Sequence, residues 1–256
     1  MSQKKAKSIT IDYALATAFL LVFWQITSLW MSEPFFPGPY GSLMAFAREM
    51  GKGLGTHLLV STARVVVGLA AALVPAVVLG MVLGRVERLD RFAAPLIYLI
   101  YPVPKIIFLP LIVILLGIGN LSKIFLIFVI VFFQILVTTR DAARQVNKSM
   151  VDSVLSLGAG EFQVYRHVIF PACLPKILTA LRISLGTAIA VLFFSETVAT
   201  RGGDIGGIGH YVMETWARLQ AEEMFAGVIA MGIMGFALYL FVEWLEKKAC
   251  PWEFLS

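Results

Sequence analysis

The chain has 256 residues, of which 59% are hydrophobic and 14% charged; its mean hydropathy is +0.85 and its net charge +5. A water-soluble domain carries about a quarter charged residues, so most of this chain is dissolved in lipid, and a soluble globular module is excluded. Its Lys and Arg residues lie between apolar runs and are not gathered on one face, which excludes nucleic acid as a partner.

The chain opens on "MSQKKAKSITIDYALATAFLLVFWQITSLW", a basic tail over residues 1–10 followed by an apolar run. The run is as long as a bilayer crossing and has no small-residue cleavage site, so it predicts a retained first span and not a removed signal. Five further runs reach the ~20 residues a crossing needs, and the six expected spans are about 11–31, 57–84, 95–117, 121–138, 177–199 and 224–245. Together they predict an all-α membrane protein, one six-helix domain over residues 11–250, with 251–256 a short tail. With the N-terminus inside, thirteen Lys and Arg fall in inner connectors and five (Arg48, Lys52, Lys123, Arg201 and Arg218) in outer ones. That bias sets both termini in the cytoplasm. "GRVERLDR" and "GIGNLSK" are expected as short turns, and Pro75, Pro102, Pro104 and Pro110 as packing kinks in continuous spans. No inverted repeat of the kind found in secondary carriers is present.

The longest inner connector, 139–176, holds a polar hairpin at about 149–171 in an otherwise greasy chain. Ser149 and Asp152 have the spacing of a capping box, so a short helix is expected to begin near Met150. Val151, Val154 and Leu155 share one face of it. Gly158 stands where a left-handed cap is needed, and Pro171 and Pro175 are expected to stop a second helix before the fifth span. An apolar stripe on so short a helix must be covered, either by its own bundle, by lipid headgroups, or by another protein's groove.

The stretch "SLGAGEFQVYRHVIFPACLPKILTALRISLG" resembles the EAA loop of ABC importer permeases, with Gly158 at the glycine of that pattern, Ile169 at its apolar position and Pro171 at its proline. "DSVLS" stands where the letters E-A-A are common, and Phe170 where Leu is usual. "STARVVVGLAAALVPAVVLG", "LPLIVILLGIGNLSKIF", "LRISLGTAIAVLFFSET" and "EWLEKKACPWE" are similar to the subgroup that imports nitrate, sulfonates, taurine or related small anions; the resemblance covers about residues 55–253. It implies the type I importer transmembrane architecture in a bacterial cytoplasmic (inner) membrane. It further implies coupling through Asp152, Ser153, Val154, Leu155, Gly158, Ala159, Ile169 and Pro171 to two separate ATPase subunits, which hold the ATP and Mg. A second permease copy, as a homodimer, and an extracytoplasmic solute-binding protein complete the assembly it implies. This chain has no Walker sequence and is expected to bind no cofactor of its own.

Ionisable residues within spans each need a partner or a water-lined path. Arg64 and Glu196 have matching depths at ~1.5 Å per residue and are expected to pair near an outer gate. Lys105 either lines the path and attracts an anion or marks the inner end of the third span, and Arg182 is expected to snorkel to headgroups. "TRGGDIGGIGHYV" lacks a phosphate-cradle ending, and "HYVMETWARL" predicts a short amphipathic outer helix for a delivery protein to touch. His57, His167 and His210 are scattered and the two cysteines lack ligand spacing, so no metal site is expected. The competing readings are a stand-alone ion-coupled carrier, disfavoured by the few acids within spans, and a membrane-embedded enzyme, for which convergent catalytic groups are missing.

Overall fold

The computed structural model describes residues 3–31, 36–200 and 205–254. Among them every regular element is helical: α1 (Gln3–Met31), α2 (Pro39–Glu49), α3 (Gly55–Arg85), α4 (Glu87–Ile100), α5 (Leu109–Leu116), α6 (Asn120–Arg144), α7 (Lys148–Ser156), α8 (Glu161–Val164), α9 (Phe170–Val198), α10 (Ile208–Ala217) and α11 (Ala221–Ala249). Arg201, placed by the sequence in an outer connector, lies outside the described residues.

Four helical stretches, ending in α3, α6, α9 and α11, are long and apolar enough to cross a bilayer. The described apolar part of α1 is Leu15–Met31, shorter than a full crossing. The third expected span differs from the continuous helix predicted for it. α4 and α5 are separated by a break and bent by 84°, because Pro102 and Pro104 have no N–H with which to continue the helical ladder and the backbone turns extended at Pro104. A single turn of tighter 3-10 helix, Lys105–Phe108, then leads into α5 with Pro110 in its first turn. Pro75, by contrast, sits within α3 without ending it.

α3 and α6 form the closest helix pair, and small residues make their approach possible. A Cβ on Gly68 would stand 2.6 Å from Ile127 Cγ2, and one on Gly80 2.7 Å from Thr139 Cβ. α9 packs on α6, and α11 closes the bundle against α9, α10 and α2. The shared core runs through Leu69, Ala72, Val131, Ile135, Leu185 and Leu192.

The two ends of the bundle differ. At one, Arg85 of α3, the start of α4 and the end of α6 meet the hairpin α7–α8. At the other lie α2, the start of α6, residues 205–209 and α10. The "GRVERLDR" turn is reduced to Val86, since α4 already begins at Glu87.

Candidate functional site

The hairpin begins two residues earlier than the capping box predicts. Asn147 is the N-cap of α7, its Oδ1 accepting from the Ser149 N–H at 3.0 Å, and Ser149 and Asp152 make no reciprocal pair. Asparagine caps as well as serine does, and it stands nearer the end of α6. The other end is as expected: Gly158 has φ +84°, with its N–H donating to Leu155 O and the Ala159 N–H to Val154 O, a Schellman closure. The second helix is not stopped by Pro171 and Pro175. The chain widens into a π turn over Tyr165–Ile169, where the Phe170 N–H reaches Tyr165 O, and it continues as α9 with Pro171 in the first turn. A proline lacks the N–H that an α turn requires, and a widened turn absorbs the loss.

The predicted stripe divides. Val151 is buried and Val154 half-buried against the bundle, whereas Leu155 is exposed together with Asp152 and Ser153. Ala159 and Pro171 are half-buried and Ile169 is fully in the core, so Ile169 supports the hairpin from within. The most exposed apolar side chains here are ones the periodicity missed, Leu157 at 87% and Phe162 at 75%. They lie on either side of the Gly158 turn, Leu157 as the cap of α7 and Phe162 within the four-residue α8.

At the broken span, Lys105 lines a cavity of about 380 Å³ with Tyr101, Pro102, Gln134, Thr187 and Val191. Its Nζ donates to Tyr101 O at 2.7 Å and lies 3.3 Å from Val103 O and 3.4 Å from Ile100 O, carbonyls at the break, of which Ile100 O also accepts from the Val103 N–H. The rings of Tyr101 and Phe133 face the ammonium at 5.2 and 5.4 Å. Across the cavity Gln134 Nε2 donates to Thr187 Oγ1 at 3.3 Å, while Gln134 Oε1 is buried with no partner. Lys105 therefore lines the cavity that opens at the break.

The structure also brings Arg64 and Glu196 together, Nη1 to Oε1 at 2.6 Å, both buried. All five guanidinium N–H groups are engaged: Nη1 also with Gly206 O, Nη2 with Ile205 O and Asn120 Oδ1, and Nε with Asn120 Oδ1. Glu196 accepts further from Ser61 Oγ and the Gly209 N–H, and Ser61 Oγ accepts from the Ile208 N–H. Gly207, at φ +95°, passes so close to Glu196 and Arg64 that any side chain would collide with them. The pair thus ties α3, α6 and α9 to the loop that enters α10, leaving no donor on Arg64 for a solute. Beside this end, α10 carries a polar rim with Arg48, Glu49 and Glu223. Burial there pushes the Tyr211 hydroxyl up to about 12, with the Glu49 and Glu223 carboxylates adding to the shift.

Two further ion pairs were not anticipated. Arg140 of α6 makes a two-pronged pair with Asp90 of α4, both buried, and Arg144 adds a 3.2 Å contact to the same carboxylate. Arg182 does not snorkel: it meets Glu246 of α11 at 3.2 Å with its guanidinium over the Tyr239 ring.

Residues 76–249 match the family model described as a binding-protein-dependent transport system inner membrane component. The taurine transport system permease protein TauC of Escherichia coli (strain K12) is 30% identical over 255 residues, 97% of this chain and 91% of the relative. The nitrate import permease protein NrtB of Synechocystis sp. is 29% identical over 250 residues, covering 94% and 89%. In fold, the chain is similar to a solved inward-facing MetNI methionine ABC transporter, with a TM-score of 0.65 at 19% identity over 78% of this chain and 97% of that one.

Proposed function

This chain belongs to the family of binding-protein-dependent transport system inner membrane components, and we propose that it is the membrane-spanning subunit of an ATP-driven importer for a small anion of the sulfonate, taurine or nitrate class. In this reading residues 11–250 form one six-span permease domain with both termini in the cytoplasm, working as a homodimer. Two ATPase subunits hold the ATP and Mg, each seating one hairpin in a groove.

The observation that carries the reading is the hairpin itself. It joins α6 directly to α9, is fixed at its turn by Gly158, and leaves Leu155, Leu157 and Phe162 uncovered. Exposed apolar side chains on a two-turn helix fit helix-in-groove docking. Asp152 and Ser153 supply its polar rim, Val154 and Ile169 fasten it to the bundle, and Ala159 and Pro171 set the return path. Closure of the ATPases on ATP would move α7, and with it α6 and α9, alternating access to the path. A solute-binding protein would deliver its cargo at the opposite end, over α10 and the rim around Arg48 and Glu49. There the Arg64–Glu196 network acts as a gate post that holds the entrance loop.

The test is co-purification from detergent after co-expression with candidate ATPase subunits, comparing wild type with Leu157→Asp and Phe162→Asp. Both side chains are exposed, so the substitutions leave the bundle intact. Loss of the ATPase from both variants, at normal permease yield, is expected. Uptake by the chain with no ATPase bound would make it a stand-alone carrier.

A further inference from the structure

Resting on the importer reading, we propose that Lys105, Gln134 and Thr187 form a transit site within the membrane for the head of a small, singly charged oxyanion, a sulfonate or nitrate-like group.

Their depth is the first reason. Gln134 stands fourteen residues from the start of α6 and ten from its end, and Thr187 eleven from the end of α9, so both lie in the lipid-spanning stretch. Irregular backbone at that depth is tolerated only where it is covered by protein or lines a water-filled cavity. The 84° break between α4 and α5 opens on such a cavity.

Charge is the second reason. Lys105 is the only charged residue lining this cavity among the described residues. A cation in the membrane is costly without a counter-charge or water, and here carbonyls and two aromatic rings compensate only in part. Of the three ammonium bonds only that to Tyr101 O is short; those at 3.3 and 3.4 Å are long, leaving two protons weakly held. The Gln134–Thr187 bond is long as well at 3.3 Å, and the amide oxygen is unused. An anionic head with several acceptor oxygens draws on all three groups: the ammonium, the Thr187 hydroxyl, and the Gln134 N–H2 once released from Thr187. Because Lys105 keeps its short bond to Tyr101 O throughout, it holds the anion weakly, as a site that must also let go requires.

The experiment uses the full chain with Cys173→Ala and Cys250→Ala, removing two buried thiols, and adds Thr187→Cys. In permeabilised membranes the new thiol is modified with a sulfonate-bearing and a trimethylammonium-bearing methanethiosulfonate, each rate divided by that reagent's rate with free mercaptoethanol. A lysine that merely favours the thiolate speeds both reagents alike, so their ratio isolates the field in the cavity. The expected ratio favours the sulfonate reagent about tenfold, falls to about one on adding Lys105→Gln, and returns with Lys105→Arg. A ratio that ignores Lys105 overturns the anion site while leaving the path intact. Failure of both reagents to reach the thiol overturns the site and the path together, whereas failure of the importer reading would appear in ATPase co-purification.

Discussion

Arg64 and Lys105 are both cations in the membrane-spanning part of one chain, and the fold treats them oppositely. Arg64 has a carboxylate at 2.6 Å and an acceptor for every N–H, all within a sealed junction of three helices and a loop. Lys105 has no carboxylate partner among the described residues, one short bond to a carbonyl, and an open cavity before it. A buried charge that is fully paired serves architecture, because it has nothing left to offer; one that is stabilised but unpaired is available to a ligand. The chemistry of the side chains matches the division. Arg presents a rigid fork suited to several fixed acceptors, while Lys is a mobile point charge.

Breaking the Arg64 junction is expected to have the largest effect. Glu196→Ala leaves a buried guanidinium without its counter-charge, which should cost about 3–5 kcal/mol. The measurement is thermal unfolding in detergent followed by size-exclusion fluorescence, together with membrane yield. Arg64→Met combined with Glu196→Leu should recover part of the loss. If Glu196→Ala inserted, melted and transported normally, Arg64 would be no more locked than Lys105 and the contrast would fail.

A smaller loss is expected at the hairpin end, where Asp90 and Arg140 repeat the locked pattern between α4 and α6. Asp90→Asn keeps shape but removes charge, and about 2 kcal/mol is expected because the carboxylate is shared with the largely exposed Arg144. Since α6 leads straight into α7, solute-stimulated ATPase should fall more than basal ATPase. Next in size is Gly158→Ala, which forces a side chain into a left-handed turn at about 1 kcal/mol. It should weaken retention of the ATPase with little change in melting.

Much of this contrast was legible in the sequence, and unevenly. Apolar run lengths located the four helices that are long enough to cross, since a bilayer imposes a length that few other contexts require. Residue rise along a helix was enough to match the depths of Arg64 and Glu196. The break was signalled by "YPVPK", two prolines one residue apart, but a hydropathy window averages over it and reads one span. Gln134 and Thr187 are single polar residues in apolar helices, 53 positions apart, and only packing brings them to Lys105. Asp90 stood in a connector by composition, whereas α4 begins at Glu87 and carries it inward to Arg140. Leu157 and Phe162 escaped a search by helical period because Leu157 stands at the cap of α7 and Phe162 in a helix of four residues, too short to show a period.

The smallest effect on stability is expected at Lys105, and it sharpens the comparison most. Lys105→Gln removes the charge yet keeps a donor for Tyr101 O; Ile100 O still accepts from the Val103 N–H, and Val103 lines the cavity, where water can satisfy its carbonyl. The change in stability should be within about 1 kcal/mol, because the lost carbonyl contacts are offset by a cation that no longer needs solvation in the membrane. Uptake of a small sulfonate by the assembled importer should nevertheless fall, chiefly through a rate that no longer rises as salt is lowered. A stable Lys105→Gln chain with impaired uptake, set beside an unstable Glu196→Ala chain, would separate the cation that holds the fold from the one that handles the solute. If Lys105→Gln instead melted as early as Glu196→Ala, the carbonyl contacts of Lys105 would be its main role, a second lock at the end of α4, and the anion would have to cross by another route.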